Sequence, residues 1–222
     1  MSLQNHSSNW NKLTPPLRPT PEVAEIIYSI TPRGRTLLLG VTPEFHNVFD
    51  ELHAVDFNPN MIEQVWPGDT ATKQAHLGDW RTMEFEDGYF DAIIGDGALG
   101  LLGSAYAIQQ FQARALRWLK PDGVFAHRVF ERPTPAFTLE DLREDLNSTD
   151  MCWNAFKMKL LFYVAEQHNG EAKFSDVLEL FNSLVSDRSC TPWPKEQVDT
   201  IDLYAGLPGN TMMPSRWQHA FL

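Results

Sequence analysis

Apolar residues follow two regimes along this chain, and the change comes near residue 130. Before it, short apolar runs alternate with stretches whose apolar positions recur at helical spacing. Thr36–Gly40 is apolar on both faces and ends in Gly, which predicts a buried parallel strand. His53–Phe57, Lys73–Leu77, Phe90–Gly95 and Val124–Phe130 read as four more strands. Between them lie predicted helices. Glu22–Ile30 follows Pro21 in its first turn, and Pro43–Leu52 puts Phe45, Val48, Phe49 and Leu52 on one face. Asn58-Pro59 opens a helix that runs to Trp66 and stops at Pro67-Gly68, and Ala105–Leu119 is amphipathic. Lys120-Pro-Asp-Gly123 is a turn, with Pro presetting φ and Gly taking the special angle. Strands alternating with helices imply parallel pairing through right-handed crossovers. The expected fold is therefore α/β: a doubly wound, mostly parallel, Rossmann-like sheet with helices on both faces.

After residue 130 the alternation ends. Leu139–Leu146, Trp153–Glu166, Phe174–Val185 and Lys195–Leu203 all read as helices, and Trp217–Leu222 as a last strand. Three parts result: an N-terminal arm and helix over 1–35, a core over 36–130, and a helical lobe with a C-terminal strand over 131–222. Pro15, Pro16, Pro19 and Pro21 bar a helix at the start of the arm, which reads as a lid that orders over a ligand.

Charge and composition narrow the partners. A formal charge of −11 gives an acidic surface that repels phosphate backbones, so nucleic acid is not an expected partner. Met1–Trp10 has no apolar core of a signal peptide, and the longest apolar stretch, Leu160–Ala165, is far too short for a membrane span. Cys152 and Cys190 read as free thiols rather than a disulfide framework. A cytoplasmic, membrane-free protein is expected, and the seven histidines show no metal-ligand spacing. Oligomeric state is not legible.

In an open α/β sheet the ligand lies beyond the carboxyl ends of the strands, so the residues that follow each strand carry the chemistry. Gly40 lets backbone approach a ligand closely, and the helix after it would favour an anionic group. Asp56 ends the second strand, where a carboxylate can accept both hydroxyls of a ribose. Asp79 can accept from an exocyclic amine, and Phe57, Met61 and Trp80 can flank a planar base. Asp96-Gly97 follows the fourth strand. His127, in the fifth, has a side chain whose pKa suits base work, although a buried structural histidine fits the same position.

The phrases TLLLGVTPEF, HAVDFNPNMI, LGDWRTMEF, FDAIIGDGAL and ALRWLKPDGVF, in this order, resemble a class I S-adenosylmethionine-dependent methyltransferase. The resemblance covers Thr36–Phe130. It implies S-adenosylmethionine as cofactor, with Asp56 on its ribose, Asp79 and Trp80 on its adenine, and Gly40 and Asp96-Gly97 beside its methionine end. The chain departs from the family at one place. Leu38 holds the position of the usual acid in the first strand, and Thr42 and Glu44 replace two glycines of the usual loop. Glu44 either takes over the ammonium of the cofactor or only complements the following helix. The expected activity is methyl transfer to a small-molecule acceptor. The alternatives are a non-catalytic cofactor-binding or regulatory protein on the same scaffold, and a nicotinamide-dependent oxidoreductase. Absence of a Gly-x-Gly-x-x-Gly loop counts against the last.

Overall fold

The computed structural model describes residues 10–206 and 209–211. Five strands form one parallel sheet: β1 (Arg35–Leu39), β2 (Glu51–Asp56), β3 (Lys73–Leu77), β4 (Phe90–Asp96) and β5 (Leu119–Arg128), in the order β3-β2-β1-β4-β5. Strand β1 pairs β2 from Arg35↔Glu51 to Leu39↔Val55, and β4 from Thr36↔Ala92 to Leu39↔Gly95. The chain thus winds outward from β1 to β3, then crosses back to β4. The crevice between the carboxyl ends of β1 and β4 is where an α/β sheet of this kind holds a ligand.

Both faces of the sheet are covered, as the unbroken apolar run of β1 requires. Leu37 and Leu39 point to one face and pack with Ile108, Phe111, Ala115 and Trp118 of α4 (Ala105–Trp118). Leu38 points to the other and packs with Ala24 and Ile27 of α1 (Pro21–Ile30), Phe45 of α2 (Pro43–His46) and Met61 of α3 (Pro59–Gln64). Asn58 caps α3, its side chain accepting from Asn60 N at 3.1 Å, and Ser104 caps α4 in the same way from Ala107 N at 3.2 Å.

Helices α5 (Leu139–Asp145), α6 (Trp153–Gln167), α7 (Phe174–Leu184) and α8 (Lys195–Val198) surround a third buried cluster that includes Trp153, Phe156, Phe181 and Trp193. Beside them β6 (Glu171–Ala172) and β7 (Asn210–Thr211) form a short antiparallel pair. Among the described residues no helix is long and apolar enough to cross a membrane.

Four expectations need correction or restriction. The helix predicted over Pro43–Leu52 is a single turn, Pro43–His46. Phe45, Phe49 and Leu52 are all buried as the pattern required, but Leu52 N donates to Thr72 O at 2.9 Å, and pairing with β1 starts at Glu51. Sheet pairing overrode local periodicity. One turn has too little dipole to favour an anion, so that part of the Gly40 argument lapses. Pairing of β5 jumps from Phe90↔Leu119 to Ala92↔Val124, so Lys120–Gly123 loops out of a strand that starts earlier than predicted. Lys195–Leu203 is one α-turn followed by a 3-10 segment, Asp199–Gly206. The strand expected at Trp217–Leu222 lies outside the described residues.

Candidate cofactor site

Four carboxylates line the carboxyl edge of the sheet: Glu44 after β1, Asp56 on β2, Asp79 after β3 and Asp96 on β4. Arginines hold three of them. Arg81 forks onto Asp79, with Nε to Oδ1 at 2.8 Å and NH2 to Oδ2 at 2.7 Å, and holds its carboxyl below the usual carboxylate range. Arg128 forks onto Asp96, through Nε and through NH2 at 2.9 Å, and burial still raises that carboxyl against the pull of Arg128. Arg18, from the arm, pairs with Glu44.

Asp56 differs. Its Oδ1 accepts the backbone N–H of Asn58 at 2.8 Å, and no cation pairs with it among the described residues. Burial pushes its carboxyl up to about 6, against the Asn58 hydrogen bond, and the charge of Asp79 adds to the rise. Its Oδ2 lies 3.9 Å from where a Cβ on Gly40 would be. Gly40 has φ +93°, in the left-handed region that favours glycine, and its N–H donates to Val55 O at 2.8 Å. A side chain here would fill the space in front of Asp56. Gly97 plays a related part after β4: its φ is +65°, and a Cβ would press Phe130 at 3.2 Å.

The other predicted residues divide. Phe57 is 40% exposed beside Asp56, with Arg81 5.1 Å from its ring centroid, and remains a candidate flank for a base. Met61 is a member of the core beneath the sheet, packed with Val65 and Trp66, and is no base flank. Trp80 is 4% exposed and meets Phe111 edge-on at 5.0 Å; it packs the opposite face of the sheet instead of stacking on a ligand. Its neighbour Asp79 points outward while the indole anchors the loop. Gly78-Asp79-Trp80 therefore positions the strand end, and Asp79 is committed to Arg81.

His127 does not suit base catalysis. Its ring lies against Gly95, where a Cβ would meet Cε1 and Nδ1 at 2.6 Å, and tilts on Phe125 at 4.2 Å. Both ring nitrogens are buried with no hydrogen-bond partner among the described residues. Burial alone lowers its pKa to about 3, so the ring is neutral and weakly basic.

A methyltransferase-domain family profile matches residues 40–127. Residues 40–127 thus form a methyltransferase domain by that similarity. The matched span runs from the Gly40 turn through the end of β5, so the methyltransferase domain holds every predicted site residue. No curated protein matches the chain in sequence. Among solved structures, the CcbJ methyltransferase of Streptomyces caelestis is 16% identical, with 57% of this chain and 56% of that one covered and a TM-score of 0.49. An S-adenosylmethionine-dependent methyltransferase of Methanococcus maripaludis is 19% identical over 80% of this chain and 84% of that one, with a TM-score of 0.46. Phosphoethanolamine N-methyltransferase 1 of Haemonchus contortus is 18% identical over 54% of this chain and 28% of that one, with a TM-score of 0.42. The chain thus spans about half of the Streptomyces protein and about a quarter of the Haemonchus one.

Sequence reasoning named the acids of the methyltransferase domain but not the arginines that pair with them in the fold. Arg81 had a local signal, two residues after Asp79. Arg128 had a topological one, since it faces Asp96 in the β4–β5 ladder. Arg18 reads in sequence as a residue of the arm able to reach an anionic group, but that Glu44 is its partner shows only in the folded chain.

Proposed function

We propose that this protein transfers the methyl group of S-adenosylmethionine to a small-molecule acceptor. The observation that carries this reading is Asp56: a half-buried carboxylate without a cation among the described residues, at the end of β2, facing the glycine that closes β1. Burying a carboxylate unpaired is costly unless hydrogen bonds reach it. The two hydroxyls of a ribose supply such bonds, which makes the site fit a nucleoside. Phe57 then borders the base, and the cofactor supplies an electrophilic methyl group on a positively charged sulfur.

The remaining steps belong to the chain. Asp56 fixes the nucleoside, the Gly40 and Gly97 turns allow close backbone approach, and the arm with the helices after β5 encloses the reacting end. Alignment and exclusion of water are the contributions expected of a protein in this chemistry. With His127 neutral and buried, no poised base is present among the predicted residues. The acidic chain, −11 overall, favours a small acceptor over a nucleic acid.

Calorimetry with S-adenosylmethionine and S-adenosylhomocysteine tests the binding half. Absence of binding at millimolar concentration would overturn the reading. Release of S-adenosylhomocysteine across a panel of oxygen, nitrogen and carbon nucleophiles tests transfer. Tight binding without release from any acceptor would favour a non-catalytic, cofactor-sensing role.

A further inference from the structure

The methionine end of this site lacks its usual acid. Leu38 is buried in the sheet at that position, and Thr42 is buried in the turn. The acid that remains there is Glu44. Its Oε1 accepts from Arg18 Nε, while its Oε2 is buried with no hydrogen-bond partner among the described residues. The neighbouring carboxylate, Asp96, is close enough for the charge of Glu44 to be felt there, but both its oxygens are taken by Arg128. Arg18, in turn, spends only Nε on Glu44; its terminal nitrogens donate to no described residue.

A carboxylate oxygen without a donor therefore lies beside a guanidinium with idle donors. An α-amino-acid end, with its ammonium and carboxylate one carbon apart, complements that pair. We infer that Arg18 and Glu44 form a receptor for an α-amino-acid zwitterion, Glu44 taking the ammonium and Arg18 the carboxylate of the cofactor's methionine end. This rests on the proposed function, and it gives the arm a binding role in place of the missing acid and glycines.

The arm is anchored so that Arg18 reaches this place. Arg128 NH1 donates to Pro16 O at 2.7 Å, Asn154 Nδ2 to Thr14 Oγ1 at 2.7 Å, and Cys152 Sγ lies 3.5 Å from Pro15 O. The guanidinium of Arg18 also lies 5.8 Å from the ring centroid of Trp10, which is buried in the core beneath the sheet.

Three probes separate the parts of the ligand: S-adenosylhomocysteine, decarboxylated S-adenosylmethionine, which keeps only the amine, and 5′-methylthioadenosine, which has neither group. R18Q is expected to weaken S-adenosylhomocysteine about tenfold or more and to leave the other two unchanged. E44Q is expected to weaken S-adenosylhomocysteine and the decarboxylated compound similarly, and to leave methylthioadenosine unchanged. Equal weakening of all three probes by R18Q, or no change in any, would overturn the receptor and leave the arm a cover. The wild-type protein provides a check that needs no variant. If it binds methylthioadenosine as tightly as S-adenosylhomocysteine, the receptor is wrong and the cofactor reading stands; if it binds none of the three, the cofactor reading itself falls.

Discussion

Two regions of this molecule each hold an ionisable group, half-buried in one and buried in the other, that has no opposite charge beside it among the described residues. At the edge of the sheet the group is Asp56; among the helices after β5 it is Lys157. Burial drives both toward neutrality, the acid up to about 6 and the lysine down to about 8. Their surroundings differ. Lys157 is 2% exposed, donates to Thr200 Oγ1 at 3.2 Å and lies 5.7 Å from the ring centroid of Trp153. Trp153 Nε1 donates to the same hydroxyl at 3.0 Å, and Thr200 passes its own proton to Gln197 O at 2.6 Å. That lysine is closed into a packed aromatic cluster. Asp56 instead faces a glycine, with one oxygen directed at a gap that a side chain would fill. The same electrostatic cost marks a packing compromise in one region and, on the function proposed above, a place for a ligand in the other.

Replacing Asp56 should give the largest effect. Asp56→Asn keeps the acceptor for Asn58 N–H but removes the charge. Cofactor affinity should fall by about a hundredfold, from loss of hydrogen bonds to a charged acceptor worth roughly 1.5–3 kcal/mol each before water compensates. Without ligand the same variant should be more stable near pH 7.5, by about 1–2 kcal/mol, because the cost of a half-buried carboxylate is gone. Opposite signs for binding and stability are the signature; a loss of both would make Asp56 a structural residue.

The pH dependence of Asp56 sharpens this. Its folded pKa is raised, so the native state binds more protons between pH 3.8 and about 6, and its contribution to stability falls as pH rises through that window. Ligand binding runs the other way. Ribose donors need the carboxylate, so cofactor affinity should drop by up to about tenfold per pH unit below pH 6. Calorimetry at pH 5 and 7.5 checks it, and a flat profile would remove Asp56 from the ribose.

Lys157→Met should stabilise the fold by about 1–3 kcal/mol at pH 7 and leave cofactor binding unchanged. The lysine's folded pKa is lowered, so the unfolded state binds the extra proton between about pH 8 and 10.5, and wild-type stability should rise with pH across that range. The methionine variant should lose this slope. A loss of affinity in it would make the two regions alike after all.

His127→Leu should act on the acid side only. The imidazole's folded pKa, about 3, lies below its ordinary value of 6.5, so its contribution to stability is present above pH 6.5 and is lost as pH falls toward 3. The leucine variant should lose about 2 kcal/mol less than wild type between pH 7 and 5, with turnover unchanged once a substrate is in hand. A large fall in turnover at full stability would restore it as a base. The smallest effect belongs to Asp79→Asn. The carboxylate already spends itself on an exposed arginine, so cofactor affinity should change only a few-fold.

What the sequence determined is the sheet and its address. The apolar run of β1 requires cover on both faces, alternation with helices requires parallel pairing, and together they send the ligand to the strand ends where Gly40, Asp56 and Gly97 stand. Those inferences are local or depend on order alone, and they survive tertiary packing. What only the tertiary structure decided is which side chains remain available. Met61 and Trp80 look like base flanks in sequence, yet the hydrophobic effect draws both into the core because burial has no directional preference for ligand over protein. Asp79 and Asp96 look like open acids, yet arginines from two residues and from one strand away close them. Arg18 reaches Glu44 across 26 positions of chain, a contact that no spacing rule encodes because the arm has no period of its own and takes its place from the surface it lies on.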